Sequence, residues 1–363
     1  MQPSVLVSGA GVAGTTAAYW LARNGFRVTV VERSAGQRSS GNPVDVRGPA
    51  LPVATDMGVL PALHEHATHA TRMRVVDGAG RTVARLPMQT EPGALEIPRA
   101  DLAGVLFEAA RDHAEFRFDD TITALAPDPD GVDVTFDRAA PQRFDLVVGA
   151  DGLHSTVRRL AFGPETDLVS HLGVWVATLP LDEPAEDPSD VLAYNEPGRL
   201  VSVHPARGTA LLAFIFRGPA IPGFDHRDTA QHRRIVTEAY AGAGWRVPEL
   251  LGRLDGADPY FDSVSRVHLS SWSRGRITLV GDAASCVSLF GDGSSLAIAG
   301  GHTLATALAG HGIADGLRRY ETEHRIRTDA KVRGAGRAAA LVVPKTRLGL
   351  AARNLTARVL SRR

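Results

Sequence analysis

Apolar and polar positions change period twice within the first 34 residues. Val5-Leu6-Val7 is a short continuous apolar run, as a strand buried on both faces requires. Val12 to Arg23 has helical character and stops at Gly25, and Arg27 to Val31 is a second apolar run. Strand, helix and strand in that order predict a βαβ start and a parallel sheet covered on both faces. The runs FDLVVGADG (144–152) and RITLVGDAA (276–284) read as two further strands, each closing on glycine and aspartate. If these strands meet on one sheet, that domain is assembled from segments far apart in the chain.

Other stretches have a different texture. MRVVDGAGRTVARLPM (73–88) alternates around a turn-prone Asp-Gly and predicts a hairpin. HLGVWVATLPL, DVLAYNEPGRLVSVHP and GTALLAFIFRG, all within 171–218, are three strand candidates separated by Pro/Gly turns, and so predict a second, largely antiparallel sheet. PAEDP (184–188) and IPGFDHRD (221–228) read as loops. After Gly301 the pattern is mainly helical and ends in the basic amphipathic tail TRLGLAARNLTARVLSRR. Such a tail can lie on a membrane surface, but its short apolar stripe favours a helix packed across the domain junction.

Composition narrows the field. The chain has 363 residues, 44% of them hydrophobic, which suits two closely joined domains. The 40 basic and 40 acidic residues cancel, so no global field attracts nucleic acid. The single cysteine, Cys286, excludes an intramolecular disulfide and points to the cytoplasm. No segment reaches the roughly 20 uninterrupted apolar residues that a spanning helix needs, so stable membrane insertion is not expected. HEHATHA (64–70) reads as a solvated polar helix rather than a metal site.

The chemistry begins at the first turn. In GAGVAG, Gly9 permits the tight turn, Gly11 lets a pyrophosphate approach, and Gly14 lets helix and strand pack closely. The helix start then offers free N–H groups to phosphates. Glu32 ends the second strand, where a carboxylate accepts from ribose hydroxyls. GAGWRV (242–247) and GAGRAA (334–339) match the spacing loosely but follow no apolar strand, so one dinucleotide site is expected. Asp151 and Asp282 stand at strand ends, where an aspartate serves either a sugar-like chain or a helix N-cap.

GAGVAG, GADGLHSTVRR (149–159) and GRITLVGDAAS (275–285), in this order, resemble the single-component FAD-dependent aromatic monooxygenases (group A) of the para-hydroxybenzoate hydroxylase fold. Within them the chain looks most similar to the tetracycline-inactivating and polyketide-tailoring members. The resemblance implies an α/β fold: a Rossmann-like FAD-binding domain with an inserted antiparallel-sheet substrate domain and C-terminal helices. The expected division is 1–70, 98–165 and 272–315 for FAD, 71–97 and 166–271 for substrate, and 316–363 for the C-terminal helical segment.

By the same resemblance, Gly9, Gly11 and Gly14 hold the pyrophosphate, Glu32 the adenosine ribose, and Arg33 flanks the adenine. Asp45 and Arg47 of VDVRG lie beside the isoalloxazine, and Arg99 contacts the ribityl-phosphate region. Asp151 and Arg158 fall on the motif linked with both FAD and passing NAD(P)H, and Asp282 on the ribityl aspartate. Gly291, Gly293 and Ser294 of GDGSS present backbone N–H groups to the flavin's pyrimidine edge. The implied reaction is reduction of tightly but non-covalently bound FAD by NADPH or NADH, addition of O2 at C4a, and transfer of one oxygen atom to an aromatic or polycyclic, polyketide-like substrate. The alternation of the second sheet makes Tyr194, His204 and Phe214 candidate substrate contacts.

Departures from the family pattern keep other readings open. Ser285 stands where histidine is common and Ser288-Leu289 where proline is common, in a stretch that looks one residue short. An oxidase, a dehydrogenase or a non-oxygenating FAD protein of a biosynthetic pathway remain alternatives, as does a non-catalytic FAD-binding partner protein. A flavin-dependent halogenase is disfavoured because no WxWxIP run is present.

Overall fold

A computed structural model describes residues 2–36, 43–88, 91–206, 208–286 and 292–360, with the side chains of 332–340 and 357–360 left aside. The expected parallel sheet forms from all three separated regions, with one antiparallel edge strand, Ser273–Arg274. Its six strands run in the order Ser273–Arg274, Ile277–Leu279, Leu146–Gly149, Ser4–Ser8, Arg27–Glu32 and Glu115–Phe118. Val5, Leu6, Val7 and Leu146 to Val148 are buried on both faces, which explains why these strands read as unbroken apolar runs. Helices Val12–Arg23, Arg99–Ala110, Asp292–Leu308 and Ile313–Val342 pack around this sheet. A three-stranded antiparallel sheet, Ile122–Pro127, Val132–Phe136 and Gln142–Phe144, adds Ile122, Val134 and Phe136 to the same core.

The second sheet has seven strands, ordered Tyr260–Val267, Val169–Leu181, Thr209–Arg217, Arg199–Ala206, Asp190–Glu196, Arg72–Val76 and Thr82–Pro87. It is antiparallel throughout except where Asp190–Glu196 meets Arg72–Val76. The run DVLAYNEPGRLVSVHP, expected as one strand, is two: Gly198 turns the chain at φ +77° between Glu196 and Arg199. The edge strand Tyr260–Val267 escapes a pattern reading because Asp262, Ser263, Ser265 and Arg266 interrupt its apolar positions.

Helices Thr229–Ala239 and Val247–Gly252 cover one face of this sheet with Val236, Tyr240, Val247 and Leu250. The long helix Ile313–Val342 leaves the first core, and Val342-Val343 meet Ala193 and Leu200 on the other face. Arg217 fixes that arrival by donating from Nε to the Val343 carbonyl at 2.5 Å. The tail helix, Arg347–Leu360, then packs against Thr82–Pro87 and Asp190–Glu196. Among the described residues no helix is long and apolar enough to cross a membrane.

Candidate flavin site

The three glycines of the first turn serve three different ends. Gly9 has φ +104°, and a Cβ there would lie 2.6 Å from the Ala150 carbonyl oxygen. A Cβ on Gly14 would lie 1.8 Å from the carbonyl oxygen of Gly9, so turn and helix close on each other only without a side chain. A Cβ on Gly11 would meet nothing within 4 Å: that face is open. Gly11 is also the N-cap of helix Val12–Arg23, and no side chain caps its first turn. An open glycine in front of uncapped N–H groups is a cradle for a pyrophosphate.

Glu32 accepts from Ala10 N–H at 2.9 Å and Ser34 N–H at 3.0 Å, which turns its carboxylate back over the cradle. Its remaining lone pairs suit ribose hydroxyls. Arg33 follows it and is exposed.

Three further segments converge on this end of the parallel sheet. Asp282 sits in a single 3₁₀ turn, Gly281–Ala283, its Oδ1 4.0 Å from where a Cβ of Gly293 would stand. Burial pushes its pKa up, and the charges of Arg99 and Arg158 pull against that rise. Arg99, half-buried at its helix start, has no hydrogen-bond partner among the described residues, which leaves its guanidinium for a ligand. Arg47 pairs with Asp292 at 2.9 Å and with Asp45 at 3.4 Å. Ser295 Oγ accepts from Arg47 N–H at 3.0 Å and donates to the Asp45 carbonyl at 2.7 Å. Strand Pro43–Val46 is thereby tied to the start of helix Asp292–Leu308, which carries Gly293 and buried Ser294. Gly291, with Ser288 and Leu289, lies outside the described residues.

Two residues expected at the cofactor also have structural work. Asp151 accepts from Ser155 Oγ, from Val157 N–H at 3.1 Å and from Ser8 Oγ at 3.4 Å, and so braces Ser155, the N-cap of helix Thr156–Ala161. Arg158 is fully buried and donates to the Ala283 carbonyl at 3.2 Å, to the Leu153 carbonyl and to Glu165 at 3.5 Å. It locks the GADG turn onto the GDAA turn and has no surface left for a passing nicotinamide.

The second sheet's faces divide the three proposed substrate residues. Tyr194 opposes Val201, and Val201 opposes Phe214, so these share the helix-covered face. Phe214 is fully buried against Tyr240, and Tyr194 donates to Glu196 at 2.6 Å. Both are core, a correction that follows from which face the helices cover.

His204 points the other way, sharing a face with Leu211, Ser202, Ala213, Ile215 and Val176. Its Nε2 meets Ser202 Oγ at 2.9 Å, while its Nδ1 is buried without a partner. Burial drops its pKa to about 4, so the ring is neutral at pH 7. The same face carries Tyr260 and Asp262 at its edge, opposite Thr178 and Val176. Tyr260 lies within electrostatic reach of Arg99 and Asp282, so this face looks towards the cofactor residues.

Asp262 is joined to His154 of the GADGLHST turn at 3.2 Å, and His154 Nδ1 meets Glu165 at 2.9 Å. The two carboxylates raise the His154 pKa to about 9 against burial, which opposes the rise. His226, stacked on that ring at 4.1 Å, is driven down to about 4 by burial and by the His154 charge. The imidazolium therefore clamps the substrate sheet to the nucleotide domain. Because the folded pKa exceeds the unfolded value of about 6.5, the clamp's contribution is complete below pH 6.5 and is lost as pH rises through 9. His154→Gln is expected to cost about 2 kcal/mol near neutrality and to flatten the fall in stability between neutrality and pH 10. Urea unfolding across pH reads both; an unchanged curve contradicts the clamp. Neither His154 nor Asp262 had a sequence signal of this role, although His154 stands inside a recognised motif. Among the described residues no group of three or more His, Cys, Asp or Glu side chains is placed to hold a metal ion.

Fold and site together define a flavoprotein: an open glycine cradle, a carboxylate over it and the Asp282–Arg99 pair fit the phosphates, ribose and ribityl chain of FAD. Residues 2–335 match the FAD binding domain family, to which the chain belongs. A Mycobacterium tuberculosis protein without an assigned activity is 42% identical over 335 residues, covering 88% of this chain and 89% of that one. A flavin-dependent monooxygenase of Legionella longbeachae is 33% identical over 312 residues, covering 84% and 80%. Among solved structures, the tetracycline destructase Tet(51) superposes with a TM-score of 0.87 at 28% identity, covering 99% of this chain and 96% of that one. The protein is an FAD-dependent monooxygenase, an oxidoreductase acting on a small molecule and O2.

Proposed function

We propose that the protein uses NADPH or NADH to oxygenate an aromatic or polycyclic, polyketide-like molecule, held between the flavin residues and the sheet face that carries His204. The reading rests on one observation above all. That face is aliphatic at Val176, Leu211, Ala213 and Ile215, yet holds a neutral histidine whose buried Nδ1 has no partner. A flat apolar ligand with one hydroxyl or carbonyl satisfies both features. Bound FAD supplies the activation of O2. The chain's own residues do the rest: the Gly9–Gly14 turn and Arg99 bind phosphate oxygens, and Asp282 accepts from the ribityl chain. N–H groups at Gly293 and Ser294 favour negative charge at the flavin's pyrimidine edge. His204 and Ser202 orient the substrate, while Leu211 and Ile215 exclude water. A single cysteine fits operation in the reducing cytoplasm.

Anaerobic stopped-flow absorbance of the FAD-bound protein tests the proposal, using NADPH and NADH with and without a panel of phenolic polyketides. Strong acceleration of flavin reduction by one ligand supports it. Flavin that stays oxidised with every ligand and both nucleotides contradicts it. His204→Ala is expected to lower kcat/KM for that ligand by about 10- to 100-fold, the usual range for losing one buried hydrogen bond to substrate. FAD content and the pH profile between 6 and 9 should not change, since the imidazole titrates well below that window.

A further inference from the structure

We propose that the helix Arg347–Leu360 is a surface anchor that seats the enzyme on an anionic lipid bilayer. One side of this helix is already occupied. Leu350, Ala351, Asn354 and Leu355 line, with Val75, Val83 and Asn195, a cavity of about 520 Å³. Leu348, Ala351, Ala352 and Leu355, spaced i, i+3, i+4 and i+7, are all exposed, Leu348 and Ala352 outside the cavity and Ala351 and Leu355 along its rim. Leu348 is 83% exposed and Leu355, at the cavity's mouth, 63%. Leu341, just before the helix, is 63% exposed as well. A helix that points its small residues and leucines at solvent at this spacing has a face awaiting an apolar partner.

Charge identifies the partner. Residues 330–363 hold nine lysines and arginines and no aspartate or glutamate. The stretch is therefore +9 while residues 1–329 are −9, a segregation hidden by the balanced total. Lys345 and Arg347 are exposed immediately beside Leu348. Two-fold pairing of this face with a second copy brings the exposed Lys345 and Arg347 of each copy together with no carboxylate from the same stretch, which opposes association. An anionic bilayer supplies acyl chains for the leucines and head groups for the cations together. With 14 residues the helix is too short to span, so it lies in the plane of the interface.

Flotation of the full-length holoenzyme tests this, with phosphatidylcholine vesicles and with vesicles of equal parts phosphatidylcholine and phosphatidylglycerol. At low salt at least about tenfold more protein should float with the anionic vesicles, and high salt should release it. Leu348→Gln/Leu355→Gln should abolish flotation with FAD content unchanged and melting temperature little changed, because both side chains are largely exposed. Lys345→Glu/Arg347→Glu should remove the preference for anionic lipid. Equal binding to both vesicles, or binding that survives the double leucine substitution, overturns the proposal. So does failure to bind either vesicle while a dimer forms that Leu348→Gln/Leu355→Gln dissociates, since the face then belongs to a second copy.

Discussion

Gly14→Val is expected to purify colourless. The added Cβ falls 1.8 Å from the Gly9 carbonyl oxygen and 3.3 Å from the Ala150 Cβ. Backbone cannot yield that far without opening the turn that presents the N-terminus of helix Val12–Arg23. The expected loss of FAD affinity is at least ~100-fold, or about 2.7 kcal/mol, and activity should vanish with the flavin absorbance near 450 nm. Gly104→Ala is the control. It lies in helix Arg99–Ala110, where a Cβ meets nothing within 4 Å. It should keep its flavin and gain up to about 1 kcal/mol. A yellow Gly14→Val enzyme with normal turnover contradicts the cradle.

Arg158→Met comes second in size and acts differently. The guanidinium is entirely enclosed and holds the Leu153 and Ala283 carbonyls and Glu165. Methionine fills part of the volume but takes the donor from both carbonyls and leaves Glu165 with His154 alone, and breaking such a buried charged network costs about 3–5 kcal/mol. The melting temperature should therefore fall even without cofactor, and FAD affinity should fall with it because Asp282 loses its support. A direct nicotinamide-binding role for Arg158 predicts the opposite division: normal stability and flavin content, with only KM for NADPH or NADH raised. Differential scanning fluorimetry of apo and holo protein, read beside steady-state kinetics, separates the two.

Why the nucleotide half was legible and the substrate half less so is a matter of what each depends on. Gly9 and Gly14 are demanded by local geometry and Gly11 leaves the cradle's face open, and the flanking strands are buried on both faces, so their apolar runs are continuous in sequence. Asp282 likewise follows directly from the end of such a strand. The second sheet is half-covered, and alternation shows only that residues two apart share a face. Which face helices Thr229–Ala239 and Val247–Gly252 would claim is a tertiary matter. That is how Tyr194 and Phe214 came to be core while His204 lies opposite. Arg158 reads the same in sequence whether it meets a ligand or two carbonyls; only burial distinguishes them. The clamp between His154 and Asp262 joins residues 108 apart with no shared pattern. The charge of residues 330–363 was in plain view but cancelled in the total.

The central claim is that the flavin site delivers oxygen from O2 to a small molecule. Turnover under ¹⁸O2, with NADPH and the ligand that accelerates flavin reduction, tests this by mass spectrometry of the product. One ¹⁸O atom in each product molecule, formed with one NADPH consumed, is the predicted result. Complete oxidation of NADPH to yield hydrogen peroxide, with the ligand unlabelled and unchanged, would contradict it and leave an oxidase in its place.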